Sequence, residues 1–303
     1  SSRRVWVTIR ETLVLLCIAI GLTPAFKMKF WNIGAEGQIL MGGMATVALM
    51  IYAGDAMPNW LLLILIFIAS AAAGLIWGLI PAVFKAYFNT NETLFTLMLN
   101  YVAMQLVTFA IVFWENPSGS NTVGIINAAG QKGWFPSIFG NMYGLNVIVV
   151  LIITLGMYVY MKYSKQGYEI AVVGESQNTA RYAGINVKKV IIRTMMLSGA
   201  ICGIAGCLIV SGASHTISTS TAGGRGFTAI IVAWMSKFNP FAMILVSAFL
   251  VFMQQGSIQI ASQFGLNENA SDIITGILLF FLIGCEFFIN YKLEWKKNHK
   301  EGK

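Results

Sequence analysis

Apolar residues run along this chain in blocks of about 16 to 25, separated by short polar punctuation. A helix needs roughly 20 apolar residues to cross hydrocarbon, and the blocks at 11–26, 33–53, 60–84, 92–114, 144–161, 190–211 and 272–291 are read as such helices. Two shorter pieces, 226–237 and 240–255, are split by "SKFNP", with Pro240 suited to a first helical turn. They read as a short or re-entrant helical hairpin. The ten-residue alternation of a transmembrane barrel does not occur. The pattern predicts an all-α, polytopic transmembrane helix bundle of about 8–9 membrane segments. Gly74 with Gly78, and Gly199 with Gly203, recur at helical spacing and suit close helix packing in lipid.

Composition agrees with the pattern. Of 303 residues, 57% are hydrophobic and 11% charged, against about 25% charged in soluble domains. The net charge of +8 would suit nucleic acid if it were spread over one face. Instead Lys162, Lys165, Arg181, Lys188, Lys189 and Arg193 crowd one connection, and Lys292, Lys296, Lys297, Lys300 and Lys303 crowd the tail. Both groups fit cytoplasmic segments, so 292–303 reads as a basic cytoplasmic tail. Loop 115–143, rich in Gly, Asn, Ser and Pro, then lies outside. Arg3, Arg4 and Arg10 fall outside too, against the charge rule. The chain begins Ser-Ser-Arg-Arg, and an earlier helix is expected ahead of it.

Polar residues inside apolar blocks need a reason, because a mid-membrane carboxylate costs about 2.5–3.5 kcal/mol on insertion scales. In "FWNIGAEGQILMGG", 30–43, Asn32 is placed to cap a helix starting near Ile33, with Glu36 in its first turn. Alternatively, Glu36 and Gln38 line a translocation path, with four glycines permitting a broken helix. In "NETLFTLMLNYVAMQ", Thr96 and Asn100 share a helix face and either bond another helix or line the path. Phe95 and Tyr101 are candidates to stack on a solute. Arg225, between two glycines, serves an outer vestibule or fixes its loop to carbonyls. "GESQNTARYAGINVKK", 174–189, reads as a short surface helix capped by Ser176 or Asn178 and ended by Gly184. Its apolar face of Ala180, Tyr182, Ala183 and Ile185 suits docking. Cys17, Cys202, Cys207 and Cys285 form no CxxC pair, and two histidines are too few for a metal centre. No paired carboxylates, activated nucleophile or phosphate loop appears, so no catalytic residue and no metal site is assigned.

"FWNIGAEGQILMGG", "ETLFTLMLNYVA", "GESQNTARYAGI" and "GFTAIIVAWMSKFNPFAMILVSAFL" together resemble the permease subunits of bacterial ABC importers for branched-chain amino acids and simple sugars. "NIGAEGQ" is most similar to the nucleoside branch, served by basic-membrane-protein-type lipoproteins. The resemblance implies one permease domain over 1–303, in a bacterial plasma membrane with its C-terminus cytoplasmic. It implies a second permease, a heterodimer partner, two ATPase subunits that carry ATP and Mg, and an external solute-binding lipoprotein. It implies a cytoplasmic coupling helix at 174–185, with Glu175, Ser176, Asn178, Ala180, Arg181, Tyr182 and Gly184 at the ATPase contact. It supports Asn32, Glu36 and Gln38 near the path of a small neutral solute, a nucleoside first, a sugar or branched-chain amino acid next. The competing class is an ion-coupled secondary transporter using Glu36. A third option is a structural subunit that carries nothing.

Overall fold

A computed structural model describes residues 2–138, 140–266, 270, 273–277, 280–281 and 284–285. The expected basic tail and most of the expected 272–291 helix lie outside the described residues. Two compact units divide the chain, Ser1–Ala248 and Phe249–Lys303. The candidate site lies in the first.

Among the described residues the named regular elements are all helices. In chain order they form α1 (Ser2–Lys27), α2 (Ala35–Ala53), α3 (Asn59–Phe88), α4 (Glu92–Trp114), α5 (Gly144–Tyr163), α6 (Lys165–Glu175), α7 (Gln177–Tyr182), α8 (Val187–Ile209), α9 (Arg225–Met235) and α10 (Pro240–Gln263). A π-helical turn, Val210–Ser214, extends α8. Seven helices are long and apolar enough to cross a membrane, and α9 is a shorter apolar helix. The protein is a multi-pass membrane protein. The apolar blocks predict these helices to within a few residues at most ends. α1 starts nine residues earlier than expected, and the connection after α5 holds two helices instead of one. Ser164 caps α6 by accepting from the Gly167 N–H, and Ser176 caps α7 by accepting from the Thr179 N–H.

Glycines set the packing. α8 packs most extensively against α3, with α2 and α1 also on it. A Cβ on Gly74 would fall 2.2 Å from the Gly199 carbonyl oxygen, and one on Gly42 equally close to that of Gly203. Gly206 meets the Ile39 carbonyl oxygen at 2.2 Å in the same sense. The backbones therefore touch on two sides of α8, which is how helices gain dispersion energy where hydrophobic drive is absent. At one end, the 115–143 loop is tied down by the Asn127 side chain on the Met50 carbonyl (2.8 Å), the Phe135 N–H on the Ser211 carbonyl (3.2 Å) and the Gly133 N–H on Asn59 (2.8 Å). At the other end, Met28, Phe30, Ala82, Ile170, Val173, Ala180, Val190 and Met195 form a single core that joins α1, α3, α6, α7 and α8.

Candidate functional site: a broken helix and the half-helix it holds

Residues 28–34 are irregular chain between α1 and α2. Phe30 and Asn32 are buried there, so the free backbone groups must be paired inside the protein. Side chains of α4 and of the break itself do this, with α2 and α8 holding the side chain of Asn32. Asn100 on α4 accepts from the Gly37 N–H (2.8 Å) and donates to the Ile33 carbonyl (2.9 Å), bridging the break. Thr96, one turn earlier, accepts from the Ile33 N–H (3.2 Å). Asn32 accepts from the Gly34 N–H (3.1 Å) and donates to Ser198 on α8 (3.2 Å), and its amide meets Gln38 at 3.4 Å. A cap placed by Asn32 on a helix starting at Ile33 is corrected: α2 starts at Ala35, and Gly34 precedes it without a side-chain cap.

Glu36 sits in the first turn of α2 but serves another helix. Its Oε1 accepts from the Gly226 N–H at 2.7 Å, at the start of α9. The residue is 2% exposed. A carboxylate at a helix N-terminus is held by unpaired N–H groups and by the helix dipole, so a buried charge gains a specific partner. Gly226 makes this approach fit, since a Cβ there would lie 2.8 Å from the Glu36 nitrogen. Arg225, next door, donates to Glu11 on α1 (2.8 and 3.1 Å) and to the Thr221 and Ala222 carbonyls (3.2 and 3.3 Å). Glu11 also pairs with Arg10. At its far end α9 returns to the break: Trp234 stacks on Trp31 at 5.4 Å between centroids, with Phe26 edge-on to both. The half-helix is thus fastened at both ends to residues 26–36.

Of the residues singled out from sequence, Asn32, Glu36, Gln38, Thr96 and Asn100 gather here, with their hydrogen bonds spent on the chain itself. Phe95 and Tyr101 do not. Phe95 stacks on Phe84 of α3 (4.8 Å), and Tyr101 lies on the outward side of α4, 59% exposed. Ser198, Glu11 and Gly226 join the site only through the fold. A serine in an apolar helix and a glycine carry no sequence signal of a partner far along the chain.

The second candidate surface is α7. Ala180 is fully buried, whereas Asn178, Arg181 and Gly184 are exposed and Tyr182 is 93% exposed. Glu175, grouped with this helix on sequence, ends α6 instead. Gly184 has φ +76° and follows the helix. α6 links this surface to the break. A Cβ on Gly174 would lie 2.0 Å from the Lys27 carbonyl oxygen and 3.2 Å from the Met28 Cα, so α6 bears directly on the end of α1. Arg193 of α8 holds α6 through Glu169 at 2.9 Å. Among the described residues no cluster of three His, Cys, Asp or Glu side chains exists that would hold a metal ion.

A family model described as the branched-chain amino acid transport system permease component matches residues 7–283. The chain belongs to this permease family. A guanosine ABC transporter permease protein of Bacillus subtilis is 30% identical over 280 residues, covering 91% of this chain and 79% of that protein. A nucleoside ABC transporter permease protein of Lactococcus lactis is 26% identical, covering 97% and 82%. A glucose ABC transporter permease protein of Haloferax volcanii is 28% identical, covering 93% and 76%. No solved structure matches. ABC permeases are the transport components of their systems, so family membership places this chain among carriers and not among enzymes.

Proposed function

We propose that this chain is the membrane-spanning half of an ATP-driven importer for a neutral nucleoside. The observation that carries the reading is the continuity from a bare surface helix to a polar break: α7 is fixed by one buried residue, Ala180, in the same core as Met28 and Phe30. Two guanosine permeases of Bacillus subtilis match this chain, at 30% and 24% identity, which supports a second, different permease beside it. ATPase subunits that carry ATP and Mg would dock on Arg181 and Tyr182, and a lipoprotein would deliver solute at the opposite face. The basic α5–α8 connection and the C-terminal tail would be cytoplasmic in a bacterial plasma membrane.

In this mechanism ATP binding draws the ATPases together and displaces α7. α6 passes the displacement to the end of α1 through Gly174. The 28–34 break then moves with Glu36, and α9 follows. The polar groups at the break keep irregular backbone paired through the motion, so the path beside them stays sparsely charged and suits an uncharged solute. Deleting the gene and measuring uptake of labelled guanosine, uridine and glucose by intact cells tests the assignment. Loss of nucleoside uptake, restored by the gene, is expected; loss of glucose uptake alone would move the substrate to the sugars.

A further inference from the structure

Four amide side chains are buried among the described residues: Asn32, Gln38, Asn100 and Asn146. The first three are paired at the break. Asn146, in the first turn of α5, is 0% exposed, and neither its Nδ2 nor its Oδ1 has a partner. Leaving both ends of an amide buried and unpaired costs the full desolvation of the group, so such a group calls for a reason. Its setting narrows the reason. The amide lies against Gly212, where an added Cβ would fall 2.5 Å from Oδ1 and 2.6 Å from Nδ2. Gly212 belongs to the π-helical turn at the end of α8, and such turns recur where helices are interrupted for function.

A second unpaired group stands nearby. Arg10 of α1 lies over the Tyr143 ring at 5.3 Å, three residues before Asn146, and its Nε is buried without a partner. α1 packs on α5. The end of this helix pair therefore carries two unused donors and an unused acceptor. Arg10 pairs with Glu11, which it shares with Arg225, so its guanidinium is held in place while its Nε stays without a partner.

An amide presents one donor and one acceptor side by side, and a guanidinium N–H suits the acceptors of a purine edge. We infer that Asn146, with Arg10 beside it, reads the hydrogen-bonding edge of a nucleobase entering between α1, α5 and the π-helical turn. This specificity role rests on the nucleoside reading above. Leucine at 146 keeps the branched outline of the side chain without its polar atoms but is bulkier against Gly212, so a thermal melt checks that assembly survives; Asn146→Ala, which removes the amide without added bulk, serves as the second variant.

The test is uptake of labelled guanosine by cells carrying the complete transporter. Unlabelled guanosine competes against purine riboside, which has the same ribose but lacks the exocyclic groups. In the parent, guanosine competes better. In Asn146→Leu the preference falls by about ten-fold, the worth of a bidentate base contact, with purine riboside little changed. A preference left unchanged, or an equal weakening of both competitors, overturns the inference. Parent cells that take up no nucleoside at all overturn the nucleoside reading itself, and the inference with it.

Discussion

Glu36 shows how one side chain is made tolerable inside apolar helices. The carboxylate is not left to its own helix. It reaches the Gly226 N–H at 2.7 Å and thereby closes the start of α9. A glutamine in its place would still present an acceptor to that N–H, whereas alanine would leave the end open. Glu36→Gln is expected to keep assembly and most uptake; Glu36→Ala is expected to lose about 1–2 kcal/mol, seen as a lower melting temperature in detergent. A proton- or sodium-coupled carrier would fail with either variant. His215 provides a second test. It stacks on Trp134 at 3.6 Å, and burial lowers its pKa from the ordinary 6.5. The unfolded chain then binds the proton more readily, so this contribution is complete above about 6.5 and is lost as pH falls through the lower folded value. Thermal melts from pH 8 to 5 should show the decline, and His215→Gln should flatten it. At this scale the sequence exposes Glu36 and Asn100, because a polar residue in an apolar run has to be answered. It does not expose their partners. Gly226 is 190 positions from Glu36 and offers only a backbone N–H.

Helices are more legible than contacts. The apolar blocks mark α2, α3, α4 and α5 closely, and the pairs Gly74 with Gly78 and Gly199 with Gly203 announce close packing, while only the structure brings the two pairs together where α3 crosses α8. α6 is not legible as a separate helix, because "KQGYEIAVVGE" mixes charge with apolar residues and lies within the basic connection. Its position is nevertheless what joins α7 to α1. Gly174→Val is expected to push α6 off the Lys27 carbonyl, at an overpacking cost of about 1–3 kcal/mol. Uptake should fall more than ATP hydrolysis by the assembled complex does. Equal loss of both would make the contact one of stability alone.

Across the first unit, the short helix α9 is held by Glu36 at one end and by Trp31 of the 28–34 break at the other, and the break shares a core with the surface helix α7. Membership in a permease family supplies the kind of work such an arrangement does, and under the proposed coupling force would be applied at the bare Arg181–Tyr182 edge of α7. Damage at that edge should therefore separate hydrolysis from transport. In vesicles holding the complete transporter with Arg181→Glu, ATP consumption and labelled guanosine uptake are measured together. Coupling through α7 predicts continued hydrolysis with uptake reduced to background. Uptake equal to that of the parent would contradict it.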